Sequence, residues 1–571
     1  MYRPVLADRT QPERIRSSAT PSFTPERAWV ELGLLGSLLA GSVLLIHVPA
    51  ALWAGNTPEF SFGFMPFFVF GLALLVGILL ATVLALHILP RAVRPAVACV
   101  LGAIGLLWWG YGLIFIGHMR VLNGINAPMP FETALGAWEL LLVAAAVVVL
   151  AGLSMRHPRV ARGVLLTLNG ILALTTTVTL AMAPRTMMTG DPEDVFKFSP
   201  KQNVLVVLFD GLQSDVADRV LRSDRALAAR FDGFRFFKDT VAIAPTTILN
   251  MPAIHSGEHY QRQRALGPYF TGAIERRSFI NRFSQAGYAT TLVYPIDGVC
   301  PARVTSCVRT ADPRSTRARF TSEAMRLFDL SVFRVSPVWM KRRIYAGGRW
   351  LLSGQLDRPD EINRIIQGNR FLEEVARRMV VASERPTLKL LHIVSTHTPY
   401  VLESNCRTVG NSALRHLEPQ VHCALRAAGT ILASLKDNGL YDNTIVLVLA
   451  DHGVNPGVYG DTASDLATRF SHLAGAANPV FLLKPLGSHG ALTDAPGAVY
   501  LADVGATLCA ASGACDVPLG IPAGQARADR PRRFHAYEWR DEFWAQRDIP
   551  EMTRYEILGP VWEQRSWRRI D

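Results

Sequence analysis

The sequence predicts a chain of two parts: an N-terminal five-helix transmembrane bundle and a following α/β/α domain with a mostly parallel sheet. The first observation is a set of five largely apolar windows, each about 20 residues long, the length of a membrane-crossing helix. They lie near residues 28–50, 61–89, 95–117, 134–154 and 161–183. The second is that no such window recurs after Pro184. The third is that short apolar strands alternate with amphipathic helical segments from residue 203 onward.

These patterns predict four regions in chain order. Residues 1–27 form a polar, cytoplasmic tail that we expect to be disordered, and residues 28–184 form the transmembrane bundle. Residues 185–202 are a connector, and residues 203–571 are the α/β/α domain.

The arginines predict the orientation of the bundle. They are concentrated in the tail and in the second and fourth connections, whereas the first connection has none and the third has only Arg120. The concentrated ones are Arg3, Arg9, Arg14, Arg16, Arg27, Arg91, Arg94, Arg156, Arg159 and Arg162. By the positive-inside rule the tail is cytoplasmic and the domain after the fifth span is outside. We therefore expect a multi-pass protein of a bacterial inner membrane with a periplasmic domain. The net charge of +12 reflects this topology and does not indicate a nucleic-acid partner.

The cysteines agree with that topology. Cys99 lies within the third window, whereas the other six form the close pairs Cys300/Cys307, Cys406/Cys423 and Cys509/Cys515. An even number of cysteines, grouped in the part predicted to be outside, indicates three disulfides formed in an oxidising compartment. None of the pairs has the C-x-x-C spacing that favours zinc.

Five apolar segments predict the strands of the sheet: NVLVVLFD (203–210), ATTLVYP (289–295), TLKLLHIV (387–394), NTIVLVLAD (443–451) and NPVFLLKP (478–485). Ligands of such sheets bind beyond the carboxyl ends of the strands. Residues 312–356 interrupt the pattern with mixed aromatic and basic residues. They are either an amphipathic element on the membrane face or an insertion packed against its own domain.

Two of these strands end in acids. Asp210 closes the first strand, and Asp451 closes the fourth and is followed by His452. Either acid alone can cap the following helix or turn. Two carboxylates and an imidazole at one sheet edge are instead three ligands of a zinc or manganese site with a position open for a reacting oxygen.

The segment APTTILNMPAIHSG (244–257) contains a candidate for that oxygen. Pro245 is typical of a helix start, where the field favours negative charge on a hydroxyl. A divalent cation would further lower the pKa of Thr246 or Thr247 and make it a nucleophile. Both threonines can also be simple capping residues, and the local pattern does not choose between them.

Six motifs in chain order resemble the alkaline phosphatase superfamily: NVLVVLFDGLQSD, TTILNMPAIHSG, STHTPY, LADHG, NPVFLLKP and LADVGATL. The resemblance spans roughly residues 200–515 and is greatest to the sulfatase-like membrane branch. This branch contains the phosphoethanolamine transferases and the lipoteichoic acid synthases, which transfer phosphoglycerol. The resemblance implies an alkaline-phosphatase-like (sulfatase-like) fold.

The resemblance also implies individual roles. In the phosphoethanolamine transferases the nucleophilic Thr is followed by Pro at five residues and Ser at nine, a spacing that only Thr247 has here. Thr247 is therefore the expected nucleophile and metal ligand, with Asp210, Asp451 and His452 as the other ligands. His397 in STHTPY, and His472 further along, correspond to histidines on the substrate side; His472 can equally be an ordinary surface residue.

The departures from the family narrow the expected chemistry. Thr247 replaces the Cys or Ser that sulfatases convert to formylglycine, which argues against sulfate-ester hydrolysis. Gly211 replaces the second acid of the sulfatases, which suggests one tightly held divalent ion, Zn²⁺ or Mn²⁺. Asp210 and Gln213 replace a Glu and an Arg of the transferases, so the head group stays open between phosphoethanolamine and phosphoglycerol.

The expected function is that of a membrane-bound, metal-dependent phosphotransferase. It takes a phospho head group from a phospholipid donor, through a covalent Thr247 intermediate, to an envelope glycan or lipid acceptor. The alternatives are a hydrolase of the same fold, a phosphodiesterase or sulfatase, and a non-catalytic lipid-sensing regulator.

Overall fold

Long helices make up the N-terminal part of the chain. The computed structural model describes residues 25–57, 60, 62–114, 138–183, 189–261, 264–295, 298–310, 316–346, 350–353, 360–409, 417–454, 466–539, 549 and 551–571. The N-terminal helices are α1 (Pro25–Ser42), α2 (Val48–Gly55), α3 (Phe64–Ile88), α4 (Arg94–Leu113), α5 (Trp138–Arg156) and α6 (Pro158–Ala181). Residues 1–24 of the predicted tail lie outside the described residues.

Four helical stretches in the described part of the chain are long and apolar enough to cross a membrane. They are Arg27–Gly55, Phe64–Ile88, Arg94–Leu113 and Pro158–Ala181. In the first, a π-helical turn at Val43–His47 joins α1 to α2 just before Pro49, which has no N–H for an α-helical bond. These helices indicate a membrane protein. Helix α5 coincides with the predicted fourth span, and its crossing stays a prediction.

The following domain alternates helices and strands. Its helices are α7 (Ser214–Ser223), α8 (Arg225–Ala228), α9 (Thr247–Ser256), α10 (Leu266–Glu275), α11 (Phe279–Gln285), α12 (Thr316–Val335), α13 (Val338–Tyr345), α14 (Asp360–Arg378), α15 (Glu418–Asp437), α16 (Leu466–Ala477) and α17 (Val504–Ser512). The main sheet consists of β1 (Asn203–Phe209), β2 (Arg235–Phe236), β3 (Ala289–Tyr294), β4 (Ser306–Arg309), β5 (Thr387–Ile393), β6 (Thr444–Ala450), β7 (Phe481–Lys484) and β8 (Thr493–Asp494). A second sheet contains β9 (Arg532–Ala536), β10 (Thr553–Ile557) and β11 (Trp567–Arg569).

The main sheet is mixed. Its strand order is β8-β2-β7-β6-β1-β5-β3-β4, and the run from β6 to β4 is parallel. Strand β7 is antiparallel to both β6 and β2, which departs from a simple parallel sheet. The reason is that the chain returns to the edge where β6 ends, since Gly453 N donates to Ala476 O and Gln213 bridges Pro479. Strand β7 must therefore start at that edge and run back.

Helices cover both faces of this sheet, and every residue of its central strand β1 is therefore buried. Val204, Val206 and Leu208 pack in one core, which also holds apolar residues of α9, α10, α11 and α17. Leu205, Val207 and Phe209 pack in the other core, with apolar residues of α7, α14 and α15. The alternation places α9, and therefore Thr247, on one defined face of the sheet.

The predicted disulfides are confirmed. Cys300–Cys307, Cys406–Cys423 and Cys509–Cys515 are bonded, with Cα–Cα distances of 6.0, 5.5 and 4.8 Å. Cys99 is the free cysteine among the described residues.

Helix α12 connects the two parts of the chain. Phe320 stacks on Phe67 of α3 with ring centroids 5.2 Å apart, and Arg334 Nη2 donates to Gly112 O at 2.9 Å. Nearby, Arg309 Nη1 donates to Phe60 O at 2.6 Å. Within residues 312–356, helix α12 therefore packs against the spanning helices and not only on its own domain, and a position of this stretch on the membrane face stays a prediction.

Candidate active site

The two predicted acids lie side by side. Phe209 at the end of β1 pairs with Ala450 at the end of β6, so Asp210 and Asp451 both follow at the same edge of the sheet. Asp451 is fully buried, and Asp210 and His452 are each only 7% exposed. Two carboxylates at such low exposure require a compensating proton or cation.

The His452 imidazole and the Thr247 hydroxyl meet between these carboxylates. His452 Nε2 lies 3.5 Å from Asp210 Oδ1 and 3.5 Å from Asp451 Oδ2. Thr247 Oγ1 lies 3.4 Å from both Asp210 Oδ2 and His452 Nε2. The structure thus brings together the four residues predicted as metal ligands.

The donor set and its spacing fit a divalent cation. Asp210 Oδ1 and Asp451 Oδ2 are buried without a hydrogen-bond partner among the described residues. Ligands of a tetrahedral zinc ion at about 2.1 Å are about 3.4 Å apart from one another, which matches the spacing around His452 Nε2. Two carboxylates, an imidazole and an alcohol suit Zn²⁺ or Mn²⁺.

The backbone around the acids orients these ligands. His452 Nδ1 lies 2.5 Å from Gly453 O and must donate to that carbonyl, which directs the Nε2 lone pair toward the carboxylates. Asp451 Oδ1 accepts from His452 N at 2.9 Å and from Gly211 N at 3.2 Å. Gly211 has φ 76°, a conformation that favours glycine. Gly453 has no room for a side chain, because a Cβ there would lie 1.9 Å from Gly475 O.

The charges of the cluster are strongly coupled. Burial raises the pKa of Asp451, and the neighbouring Asp210 carboxylate raises it further. Burial alone would lower the pKa of His452, but the carboxylates of Asp451 and Asp210 raise it above its usual value. The cluster therefore favours added positive charge, which a proton or a metal ion can supply.

The two threonines of the opening motif have different surroundings. Thr246 is the extended residue before α9, with φ −142°, and its hydroxyl lies 2.5 Å from the hydroxyl of Tyr537. Thr247 is the first residue of α9, and its hydroxyl faces Asp210 and His452. Neither hydroxyl caps the helix: Thr246 makes no side-chain capping bond.

Sequence reasoning missed Asn250, which holds the start of α9 in place. This fully buried side chain accepts from Ile243 N at 2.7 Å and donates to Ala244 O at 2.7 Å and to Thr246 O at 2.8 Å. A polar residue inside an apolar segment was the available signal. Ser256, which separated the two threonines by spacing, instead donates to Pro252 O at 2.8 Å near the end of the helix.

His392 is a second residue that the sequence reasoning missed. It belongs to β5 and is 5% exposed, and both of its ring nitrogens lack a hydrogen-bond partner among the described residues. A ligand atom of His392 lies within 4.8 Å of ligand atoms of Asp210 and Asp451. Burial lowers the pKa of His392 to about 4, so the ring is neutral and able to coordinate a metal. A histidine within the apolar strand TLKLLHIV was the only sequence signal.

The two other predicted histidines lie at different depths. His397 follows β5 and is exposed, with Nδ1 2.6 Å from Thr398 O. After burial, a positive charge on His397 is one of the causes that lower the pKa of His392. His472 lies in α16 with a half-buried side chain. The end of α16 contacts the loop after Asp451 through the bond from Gly453 N to Ala476 O.

Several solved structures are similar to part of the chain. A protein of the alkaline phosphatase superfamily from Vibrio parahaemolyticus is 14% identical, over 66% of this chain and 83% of that one, with a TM-score of 0.38. The lipoteichoic acid synthase LtaP from Listeria monocytogenes is 11% identical, over 65% of this chain and 86% of that one, with a TM-score of 0.34. BT1596, a 2-O GAG sulfatase, is 12% identical, over 63% of this chain and 81% of that one, with a TM-score of 0.39.

No protein-family model matches the chain, and no curated protein matches its sequence.

Proposed function

We propose that the chain is a metal-dependent transferase of the inner membrane with a periplasmic active site. It moves phosphoethanolamine or phosphoglycerol from a phospholipid to an envelope glycan or lipid. One observation carries the proposal: the Thr247 hydroxyl lies 3.4 Å from both Asp210 Oδ2 and His452 Nε2 at the start of α9. A half-buried alcohol beside orphaned carboxylate oxygens is suited to nucleophilic chemistry.

The reaction would proceed in two displacements. Thr247 Oγ1 attacks the phosphorus of the donor, and the bond from phosphorus to the lipid glycerol oxygen breaks. Diacylglycerol leaves with a proton equivalent to the one that Thr247 loses. The acceptor hydroxyl then attacks the same phosphorus, takes the head group and returns a proton to Thr247.

The surrounding residues have separate roles in this proposal. Asp210, Asp451, His452 and Thr247 would hold the divalent ion, which when bound lowers the pKa of the alcohol and offsets phosphate charge. The positive end of α9 favours the Thr247 alkoxide. The proposal gives exposed His397 the role of protonating the leaving oxygen, and gives His472 a role on the substrate side.

The membrane helices support a lipid donor. Helix α12 contacts α3 through Phe320 and Phe67, and it reaches the end of α4 through Arg334 and Gly112. These contacts attach the domain to one end of the spanning helices. A domain attached to the membrane in this way suits a phospholipid donor, whereas a soluble substrate needs no such attachment.

The covalent intermediate provides the direct test. Full-length protein would be incubated with phospholipid vesicles and digested, and the peptide covering residues 240–260 would be weighed. The proposal expects a phosphoethanolamine or phosphoglycerol increment on Thr247, which Thr247→Ala lacks and Thr246→Ala retains. Transfer to an added glycan or lipid acceptor supports the transferase, whereas release into water alone supports a hydrolase. The absence of both an adduct and turnover would support the non-catalytic alternative.

A further inference from the structure

A separate cavity lies at the other end of α9. It has a volume of about 390 Å³, and its lining includes His255, Ser256 and Gly257, whereas Thr247 begins the helix. With a rise of about 1.5 Å per residue, the two ends of α9 are roughly 13 Å apart. Four arginines line this space, Arg276, Arg277, Arg282 and Arg303, and we name it the arginine cavity.

The charge of the arginine cavity is not balanced. Glu258 is the acid in its lining, and this carboxylate already pairs with Arg264 at 3.2 Å and with Arg277. The side chains of Arg276, Arg282 and Arg303 form no ion pair with any described residue. Three exposed arginines that line the cavity therefore have no counter-ion among the described residues.

Two of the guanidinium groups are close neighbours. A Cβ built on Gly272 would lie 3.2 Å from Arg276 Nη2 and 3.2 Å from Arg277 Nη1. Arg277 Nη2 is also buried without a hydrogen-bond partner among the described residues. Two guanidinium groups that both contact this one point repel each other, and the Glu258 carboxylate pairs with Arg277 but not with Arg276.

His255 provides a second and independent indication of a ligand. Its side chain is 1% exposed, and its Nδ1 lies 2.8 Å from Ser278 Oγ. The other ring nitrogen, Nε2, has no partner among the described residues although the residue lines the cavity. A buried, unpartnered nitrogen is costly unless a ligand group satisfies it.

The walls of the cavity are held in place before any ligand binds. Asn281, 6% exposed, accepts from Arg303 N at 2.8 Å and donates to Arg276 O at 3.3 Å, so one side chain fixes both arginine-bearing segments. The disulfide Cys300–Cys307 encloses Arg303, and Cys509–Cys515 ends just before the lining residues 517–519. A preorganised wall lowers the entropic cost of binding.

We propose that the arginine cavity binds a phosphate-bearing ligand, separately from the Thr247 site. Guanidinium groups match phosphate oxygens through paired N–H donors, and several together suit a multiply charged anion. The volume is within the range of ligand sites, about 300–1,000 Å³. The ligand can be a free phosphate compound or the head group of an anionic phospholipid, because both present the same chemistry. The proposal goes beyond the proposed function and does not depend on it.

The test is a calorimetric titration of inorganic phosphate into the full-length, metal-loaded protein in detergent. The variant Arg276→Gln/Arg303→Gln removes two exposed guanidinium groups that touch neither the metal site nor Thr247. Its matched control, Arg225→Gln/Arg235→Gln, removes two exposed arginines from another part of the domain. We expect the wild type and the control to bind phosphate with the same affinity. The affinity of the variant should be lower by about tenfold or more, which is the size of a lost charge-assisted hydrogen bond. Binding at the metal site stays the same in all three proteins.

Hydrogen–deuterium exchange locates the binding. Phosphate should slow exchange of amides in residues 276–285 and 300–305 of the wild type but not of the variant. Identical isotherms for wild type and variant, with no slowing in these segments, would overturn the proposal. Repeating the phosphate titration in nanodiscs identifies the source of the natural ligand. Weaker phosphate binding in phosphatidylglycerol discs than in phosphatidylcholine discs supports a lipid head group. Equal binding in the two kinds of disc supports a free phosphate compound.

Discussion

The hydroxyl of Thr246 lies 2.5 Å from the hydroxyl of Tyr537, a residue 291 positions further along the chain. Burial raises the pKa of Tyr537, so the phenol keeps its proton and remains available to this bond. The adjacent Thr247 hydroxyl instead faces Asp210 and His452. The tertiary structure therefore gives two neighbouring and chemically identical side chains different surroundings.

This difference predicts unequal effects of two alanine substitutions. Thr247→Ala should lower head-group transfer by about 10³-fold or more, because it removes the proposed nucleophile. Thr246→Ala should change the rate only a few-fold, since it removes one neutral hydrogen bond worth about 1 kcal/mol. Rates are measured with a labelled phospholipid donor, and circular dichroism checks the fold.

Tyr537→Phe is the matched control for Thr246→Ala, because both variants remove the same bond. The two should have similar effects, and the double variant should lose no more than either single one. A Thr247→Ala protein that keeps full activity would refute the assignment of the nucleophile.

Asn250 should act as a positioning residue. Asn250→Ala leaves Ile243 N and the carbonyls of Ala244 and Thr246 without a partner, at a cost of roughly 1–3 kcal/mol for a buried group. We expect a lower melting temperature and a lower kcat with little change in KM, because Thr247 loses its placement while the substrate surface is intact. The exposed Asn438→Ala is the control.

The conservative variant Asn250→Asp tests whether Asn250 places Thr247 or only stabilises the folded domain. Asn250→Asp keeps the acceptor for Ile243 N but sets an oxygen against two carbonyl oxygens. It should therefore be impaired like Asn250→Ala. Wild-type kcat in a folded Asn250→Asp protein would contradict the positioning role.

His392 should contribute to metal affinity. It lies with Asp210 and Asp451 inside one group of candidate ligands, and no described residue satisfies its ring nitrogens. His392→Ala should weaken Zn²⁺ or Mn²⁺ binding by about 10–100-fold, the usual effect of losing a ligand-supporting group. Equilibrium dialysis followed by metal analysis measures this.

The control for that measurement is His489→Ala, because His489 is an exposed histidine paired with Asp232 and Asp442. It should bind metal like the wild type. Asp451→Asn should lose more affinity than His392→Ala, since it removes the most buried carboxylate of the cluster. Equal metal content in His392→Ala and wild type at limiting metal would exclude a role for His392.

The contact between α12 and α3 should hold the domain against the membrane helices. Phe320→Ala removes a ring that stacks on Phe67 and contacts Phe62 and Phe70 edge-on, a loss of roughly 2–4 kcal/mol for a partly buried aromatic. We expect faster hydrogen exchange in residues 316–335 and slower transfer from bilayer phospholipid. Metal binding should not change, because the ring contacts of Phe320 are with Phe62, Phe67 and Phe70 and not with the cluster of Asp210, Asp451 and His452.

Leu558→Ala, which truncates an exposed apolar side chain of the same domain, is the control for this prediction. It should match the wild type in both measurements. Unchanged exchange across α12 in Phe320→Ala would show that other contacts are sufficient for the attachment.

Local patterns in the sequence were sufficient for much of the fold. Hydropathy over about 20 residues reports a membrane helix whatever surrounds it, and the five predicted strand segments all form strands of the main sheet. Asp210 and Asp451 could be predicted to meet because the carboxyl ends of neighbouring parallel strands share one edge. The cysteine pairs could be predicted because each closes a short loop.

The remaining features depend on residues that are distant in the chain. The antiparallel direction of β7 depends on where the chain returns after β6, and the docking of α12 depends on Phe67 and Gly112 of the bundle. Whether His392 is a core residue or a potential ligand depends on carboxylates from two other strands.

The sequence by itself determined that two acids and a histidine meet at one edge of the sheet, because strand ends are encoded locally, and the resemblance to the transferases added a threonine to that cluster. That resemblance selected Thr247 from the sequence, whereas the local pattern left both threonines open, and only the tertiary structure shows what each hydroxyl contacts. The Tyr537 hydroxyl reaches one threonine, and the Asp210 and His452 side chains reach the other. Distances of a few ångströms between such separated residues are set by packing of the whole domain, which no local pattern records.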